Sequence, residues 1–484
     1  MKNLSTMSLS QLQDIKFILT DIDDTITSDG RLKSNAYEAM ERLSDNGYSV
    51  IPVTGRCAGW CDHIARMWPV DGVVGENGAF FFSYDHDNKK MNNSYSQTED
   101  ERKENFTVLN EIKNTILESV SGTAQASDQD YRITDLAIDF AEDVPKLPQN
   151  KIDEIVQIAE QKLSEYLNTE TYVLANGTVA LHLALLGLDV KPGDSILVPS
   201  FSYVAPSNAI RYCGAMPRFV DCDRSSWCAT VQTLNKSLDD TVKGVLVVHN
   251  YGALGEIKQI AHWAKENGLW LLEDCAEAFG SKTSSQMAGT FGDISTFSFF
   301  GNKTITTGEG GALSINNARY IDRIKLLKSQ GLTGNKPFWH ETIGYNYRLN
   351  SLSASLIPSQ LSRIDQIIGQ KKLIFDKYKQ NLSGAFEFQY FDIDECPWLV
   401  SILLGSHALR GELAKRLLSV GIETRPTFYP AHTLPAHIDN RIKLDVCEDV
   451  ALRGLSLPSS PNLSTKVIRQ ICEEIYKWGE DIRL

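Results

Sequence analysis

Phe297-Ser298-Phe299-Phe300-Gly301-Asn302-Lys303-Thr304-Ile305-Thr306-Thr307-Gly308-Glu309-Gly310-Gly311 reads as an apolar strand that delivers one lysine into a glycine-rich turn. That setting suits a lysine holding an aldehyde cofactor covalently. The amine is a good nucleophile only where desolvation or a nearby cation lowers its pKa, and the flanking aromatic residues supply a dry wall. The segment therefore points to pyridoxal phosphate. Taken alone it also fits a surface lysine at a strand end, so the cofactor's other partners must be sought elsewhere in the chain.

Two further segments qualify. Asn176-Gly177-Thr178 follows a short apolar strand, Tyr172 to Leu174, and opens the helical run Val179 to Leu186. A small-residue turn at a helix N-terminus favours phosphate through free backbone N–H groups and the helix dipole, although many helices begin at Gly-Thr without binding anything. Leu269-Trp270-Leu271-Leu272-Glu273-Asp274 is an apolar strand ending in a carboxylate. Such an aspartate can keep a pyridinium nitrogen protonated and so make the cofactor ring an electron sink, or it can simply cap a strand-end turn.

Phosphate turn, the aromatic segment Phe201-Ser202-Tyr203, strand-end Asp274 and Lys303 occur in the order found in fold-type I pyridoxal-phosphate enzymes. From about Asn168 onward the chain resembles the DegT/StrS sugar aminotransferases, and within them the perosamine synthase branch. The residues that carry the likeness are Asn176 to Leu181, Pro199 to Val204, Val248 to Gly252, Glu273 to Ala278 and the lysine segment. Trp339-His340, Gly344 to Arg348 and Thr424 to Pro430 add to it.

The resemblance implies a large α/β domain over 161–370 and a small α+β domain over 371–484. It implies that Lys303 holds the cofactor and moves a proton between the cofactor carbon and sugar C4. Asp274 would pair with the pyridinium nitrogen, Tyr203 would stack on the ring and Glu277 would lie near the ring hydroxyl. Gly177, Thr178 and Ser298 would hold the phosphate, with Asn346 arriving from the partner subunit of a homodimer. His340, Arg425 and Tyr429 would face the substrate, though arginine and tyrosine also brace domain interfaces. Glutamate would be the amino donor and a nucleotide-linked 4-keto-6-deoxy sugar, guanosine-linked first, the acceptor. The product would serve a surface polysaccharide such as lipopolysaccharide O-antigen.

The first part of the chain has a different grammar. The apolar run Ile15 to Leu19, an acidic loop, a helical stretch Ser34 to Asn46 and a strand Ser49 to Val53 ending in Thr54-Gly55-Arg56 open an α/β domain with parallel strands. Asp21-Ile22-Asp23-Asp24-Thr25 brings two carboxylates out together at a strand's C-terminal end, where they can share a magnesium ion while one attacks phosphorus and the other handles the proton. This segment resembles the haloacid dehalogenase phosphatases, with Thr54-Gly55-Arg56 similar to their second motif and Gly75-Glu76-Asn77-Gly78 to a segment of the sugar-phosphatase branch. The resemblance implies Asp21 as nucleophile, Asp23 as acid/base and both as magnesium ligands. The later lysine and the Gly-Asp-rich motif that complete such a site are not found before the second domain, so 1–160 is expected to be a partial, weakly active or inactive phosphatase domain. The aminotransferase in turn lacks its usual N-terminal arm. Active phosphatase–aminotransferase and non-catalytic cofactor-fold scaffold remain the alternatives.

Other expectations are simpler. Polar residues from about Tyr84 to Glu104 suggest an exposed loop, helical periodicity covers Phe106 to Val120 and Asn150 to Tyr166, and Pro358 should kink or break the helix Leu352 to Ile364. The 484 residues are ample for two or three domains. A net charge of −13, with no basic cluster, argues against a nucleic-acid surface. Nine cysteines without metal-type pairing suit a reducing cytoplasm. No run reaches the roughly 20 apolar residues that a membrane span needs, and no apolar signal core opens the chain.

Overall fold

In the computed structural model, residues 15–23, 25–28, 31–119, 122–139, 144–145, 149–333, 336, 338–382 and 384–481 are described. Asp24 of the acidic motif and Val120 at the end of an expected helix lie outside them. Residues up to Ile152 form one compact unit and those from Asp153 a second.

In the first unit, β1 (Phe17–Thr20) runs parallel to β2 (Ser49–Pro52), with α1 (Ser34–Asp45) between them in sequence. The helix α2 (Ala58–Met67) follows the Thr54-Gly55-Arg56 turn and buries Cys61, Ile64 and Ala65 among Val73, Phe80 and Phe82. Where an exposed loop was expected, the chain forms an antiparallel hairpin. After β3 (Val73–Gly75), β4 (Phe80–Asp85) pairs with β5 (Lys90–Tyr95), Phe80 opposite Tyr95. The hairpin tip is closed by Asp85, whose carboxylate accepts the N–H groups of Asp87 and Asn88 at 3.0 and 2.9 Å. The helix α3 (Glu99–Ser119) then starts earlier than apolar periodicity suggests, because Thr98 and Glu101 make a reciprocal capping box.

The second unit is built on a seven-stranded sheet, and its first helix, α4, is Gln149–Leu167. The strands are β6 (Glu170–Leu174), β7 (Ser195–Pro199), β8 (Met216–Val220), β9 (Val242–Val248), β10 (Trp270–Asp274), β11 (Ile294–Ser298) and β12 (Gly311–Ile315). Their spatial order is β6-β12-β11-β10-β9-β7-β8, and only β12 runs against its neighbours. Near-continuous apolar runs such as Val245-Leu246-Val247-Val248 are what a parallel sheet covered on both faces requires. Two core clusters, one around Leu197, Val245 and Phe297 and one around Ile196, Leu246 and Leu272, comprise alternating residues of the same strands.

Register decides where the site falls. Gly311 stands opposite both Leu174 and Ser298, while Asp274 stands opposite Val248 and Thr296. The C-terminal ends of β6, β9, β10 and β11 therefore share one edge of the sheet, the edge at which open α/β sheets bind ligands.

Pro358 does not break its helix. The helix α5 (Ser351–Ser362) runs through it and ends four residues later, before α6 (Ile364–Asn381). Asn350 caps its start by accepting the Ser353 N–H at 2.8 Å, and fully buried Ala354 and Ile357 hold it to the core. That burial offsets the roughly 3 kcal/mol an interior proline costs. Beyond α6, a four-stranded antiparallel sheet, Glu387–Phe388, Val400–Leu403, Gly454–Leu457 and Arg425–Pro426 in that order, completes the unit. Among the described residues no helix is long and apolar enough to cross a membrane.

Candidate active site

Lys303 follows β11 in the turn before β12, with its side chain 13% exposed. Its Nζ lies 3.6 Å from Glu277 Oε1 and 3.9 Å from the centre of the Trp398 ring. Glu277 is buried, and its other oxygen accepts the Tyr251 N–H at 2.9 Å. Burial pushes its carboxyl up to about 6, against the pull of the Lys303 charge and the Tyr251 N–H. Above that pH a carboxylate faces the lysine, and below it the ion pair is lost.

Asp274 ends β10 and is buried beside them. Burial raises its pKa, while the Ala276 N–H and the charges of Lys303 and His249 oppose the rise. Its Oδ1 accepts the Ala276 N–H at 3.0 Å, and Oδ2 has no donor among the described residues. A carboxylate oxygen left without a donor fits a cationic ring N–H.

The phosphate turn is formed as the sequence suggests. Asn176 caps the helix Gly177–Gly187 by accepting the Val179 N–H at 3.0 Å, so the N–H groups of Gly177 and Thr178 remain free at its start. A Cβ at Gly177 would lie 3.0 Å from Ser298 Cβ, which brings the Ser298 hydroxyl next to those donors. That hydroxyl accepts the Phe300 N–H at 3.4 Å, and its proton has no acceptor among the described residues. Free N–H groups, a free hydroxyl, an orphaned carboxylate and a lysine at one sheet edge fit pyridoxal phosphate.

The remaining expected residues are less closely joined. Tyr203 is 60% exposed, with its ring 6.0 Å from that of Phe428. Asn346 is exposed and bridges to Ser329. The His340 ring is bonded to the Gln330 carbonyl at 2.8 Å, Arg425 lies 3.7 Å from Glu423, and Tyr429 is exposed. Among the described residues no hydrogen bond or ion pair joins these five to Lys303, Asp274 or Glu277. The strand holding Arg425 is still tied to the site, because the Phe428 N–H donates to Tyr251 Oη at 3.1 Å.

Several site residues escaped the sequence reading. Glu273, fully buried behind Asp274, accepts Phe291 and Gly292 N–H groups on Oε1 and the Gly289 N–H with the His249 ring on Oε2. His249, Glu273 and Cys275 are the one metal-type cluster among the described residues, yet Glu273 has all its acceptor positions filled by N–H groups. A metal ion has no room in that donor set. The ending Val247-Val248-His249 on an apolar strand is the sequence signal that would have flagged His249. Trp398 carries no local signal at all.

Asp21 and Asp23 both emerge beyond β1 and are exposed, but Asp23 is forked onto Arg56, Oδ1 to Nη2 at 2.5 Å and Oδ2 to Nε at 3.2 Å. The Arg56 guanidinium thus pairs with both oxygens of Asp23 and with neither oxygen of Asp21 among the described residues. Buried Glu76 accepts the N–H groups of Ala58, Ile133 and Thr134 and serves the fold.

Residues 150–476 match the model of the DegT/DnrJ/EryC1/StrS aminotransferase family, and 18–177 match that of the haloacid dehalogenase-like hydrolases. The GDP-perosamine synthase of Escherichia coli O157:H7 is 43% identical over 327 residues, 67% of this chain and 89% of that protein. That of Vibrio cholerae is 39% identical over 65% of this chain and 88% of that protein. The structure of the aminotransferase TlmJ from Streptoalloteichus hindustanus superimposes with a TM-score of 0.65 at 26% identity, covering 68% of this chain and 92% of that one. The chain belongs to the DegT/DnrJ/EryC1/StrS aminotransferase family of pyridoxal-phosphate enzymes, with a haloacid dehalogenase-like hydrolase segment ahead of it.

Proposed function

We propose that this enzyme moves the amino group of glutamate to C4 of a 4-keto-6-deoxy sugar linked to guanosine diphosphate, in the cytoplasm and for a surface polysaccharide. The observation that carries the chemistry is Lys303 Nζ held 3.6 Å from Glu277 beside the free oxygen of buried Asp274. The relatives named GDP-perosamine synthase support the choice of sugar. The same reading places the cofactor-holding domain at 161–370 and the small domain at 371–484.

Pyridoxal phosphate, when bound, supplies a carbonyl that exchanges nitrogen and a ring that accepts electrons. The protein supplies the rest. Gly177, Thr178 and Ser298 would hold its phosphate, Asp274 would keep its ring nitrogen protonated, and Tyr203 would stack on the ring. Lys303 would hold the cofactor and is the residue placed to carry the proton that must reach sugar C4. Glu277 orients that amine from the ring-hydroxyl side. His340, Arg425 and Tyr429 face the sugar nucleotide, and Asn346 completes the phosphate site of the other subunit in a homodimer.

Nucleotide 4-keto sugars assayed in parallel with glutamate, scored by product mass, test the assignment. The guanosine-linked sugar is expected to gain the amine. Product from uridine- or thymidine-linked sugars alone would reject it.

The first unit, 1–160 in this reading, has no turnover of its own. Arg56 pairs with Asp23, and among the described residues β1 and β2 are extended by a single bridge, Val53 to Val74. Sugar phosphates are therefore expected to release no phosphate in the presence of magnesium. Release that disappears in Asp21→Asn would sink this reading.

A further inference from the structure

We infer that Trp398 is a docking face for the ammonium of Lys303 when that lysine is free of the cofactor, and that it thereby sets the balance between the two cofactor forms of the enzyme. The inference rests on Lys303 as the cofactor-bearing lysine. Lys303 Nζ lies 3.9 Å from the Trp398 ring centre and 3.6 Å from Glu277, a carboxylate on one side and an indole face on the other. Trp398 is 5% exposed, so its attraction for the cation is little screened by water.

The indole is held from three directions. Its backbone N–H donates to the Tyr251 carbonyl at 2.7 Å and its Nε1 to the Asn302 carbonyl at 2.8 Å, one residue before Lys303 itself. Its own carbonyl accepts from the buried Lys371 ammonium at 3.0 Å. Gly252, at φ +104°, permits the close approach, since a Cβ there would stand 2.0 Å from the Cys396 carbonyl oxygen. Among the described residues Lys371 has no carboxylate partner, and burial lowers its pKa. It anchors the strand that presents the ring.

These contacts discriminate between states. A lysine nitrogen joined to the cofactor would have at most one N–H, whereas the released side chain in its ammonium form offers three N–H groups and a localised charge to the ring. Cation–π attraction therefore favours the released state, and a contact made in one state alone shifts the equilibrium by its full strength. The released state is the one in which the cofactor holds the transferred nitrogen. Trp398 biases the resting enzyme toward that amine-loaded form.

The test is a titration of holoenzyme with glutamate and 2-oxoglutarate at fixed ratios, read as the partition between the yellow and colourless forms. Trp398→Leu is expected to move the partition toward the yellow, lysine-bound form by roughly 2- to 30-fold. Trp398→Phe keeps an aromatic face of weaker attraction and is expected to fall between the leucine variant and wild type. A leucine variant that titrates as wild type overturns the inference. So does a phenylalanine variant shifted as far as leucine, which marks a purely structural role. If the leucine chain does not fold, the phenylalanine variant decides alone, and an unchanged partition rejects the proposal. A wild-type enzyme whose yellow form does not depend on Lys303 would fail the underlying assignment instead.

Discussion

Lys303→Ala is expected to lose the yellow absorbance on incubation with pyridoxal phosphate and to lower transamination by on the order of 10⁴-fold or more. The size follows from two roles in one side chain, covalent carrier and proton mover, which no neighbour can assume. Lys371 is the other buried lysine nearby, but its Nζ is committed to the carbonyls of Trp398 and Ser459. Cofactor affinity should fall far less, because Asp274 and the Gly177 turn are untouched. Lys303→Arg separates charge from nucleophilicity. It keeps a cation facing Glu277 but remains protonated at any working pH, so it should be as inactive as alanine. Normal turnover in either variant would refute the assignment of Lys303.

The parts of the site legible in the sequence are those written locally. An apolar strand that runs into a polar residue or a glycine turn announces itself in a few positions, and Asp274, Gly177 and Lys303 all lie at or just beyond such strand ends. The sheet adds the register that brings these separate endings to one edge. Trp398 was not legible, since it meets the lysine turn 96 residues from Asn302 with nothing beside it to mark it. The hairpin Phe80–Tyr95 was hidden for another reason. Its second strand is mostly polar, with only Met91 and Tyr95 packed against the core, and is otherwise held by pairing with Phe80 to Asp85. Pro358 misled because propensity speaks for one hydrogen bond, while Ala354 and Ile357 speak for the core. In the first unit, spacing placed Asp21 and Asp23 together at a strand end but carried no information about Arg56, 33 residues away, closing on one of them.

The second large effect is expected at Glu273, which faces away from the chemistry. Its carboxylate accepts four N–H groups, from Phe291 and Gly292 at 2.7 Å and from Gly289 and His249 at 3.0 Å. It thus fastens the Gly289–Gly292 turn and the end of β9 to the end of β10. Glu273→Ala leaves these donors buried without an acceptor, and should cost about 3–5 kcal/mol. Glu273→Gln keeps the shape but turns an amide NH₂ toward one pair of donors, so it should lose about half as much. His249 and Asp274 sit on the two strand ends that this carboxylate joins, so both variants should also weaken cofactor binding while leaving Lys303 in place. Urea unfolding of the full chain, with apoenzyme and holoenzyme compared, measures both effects. The alanine variant is expected to unfold at clearly lower urea and to gain less from added pyridoxal phosphate than wild type does. An unfolding midpoint equal to that of wild type would mean that the loop before β11 and the end of β9 are held by the sheet alone, and that the buried carboxylate adds nothing to the platform on which Asp274 stands.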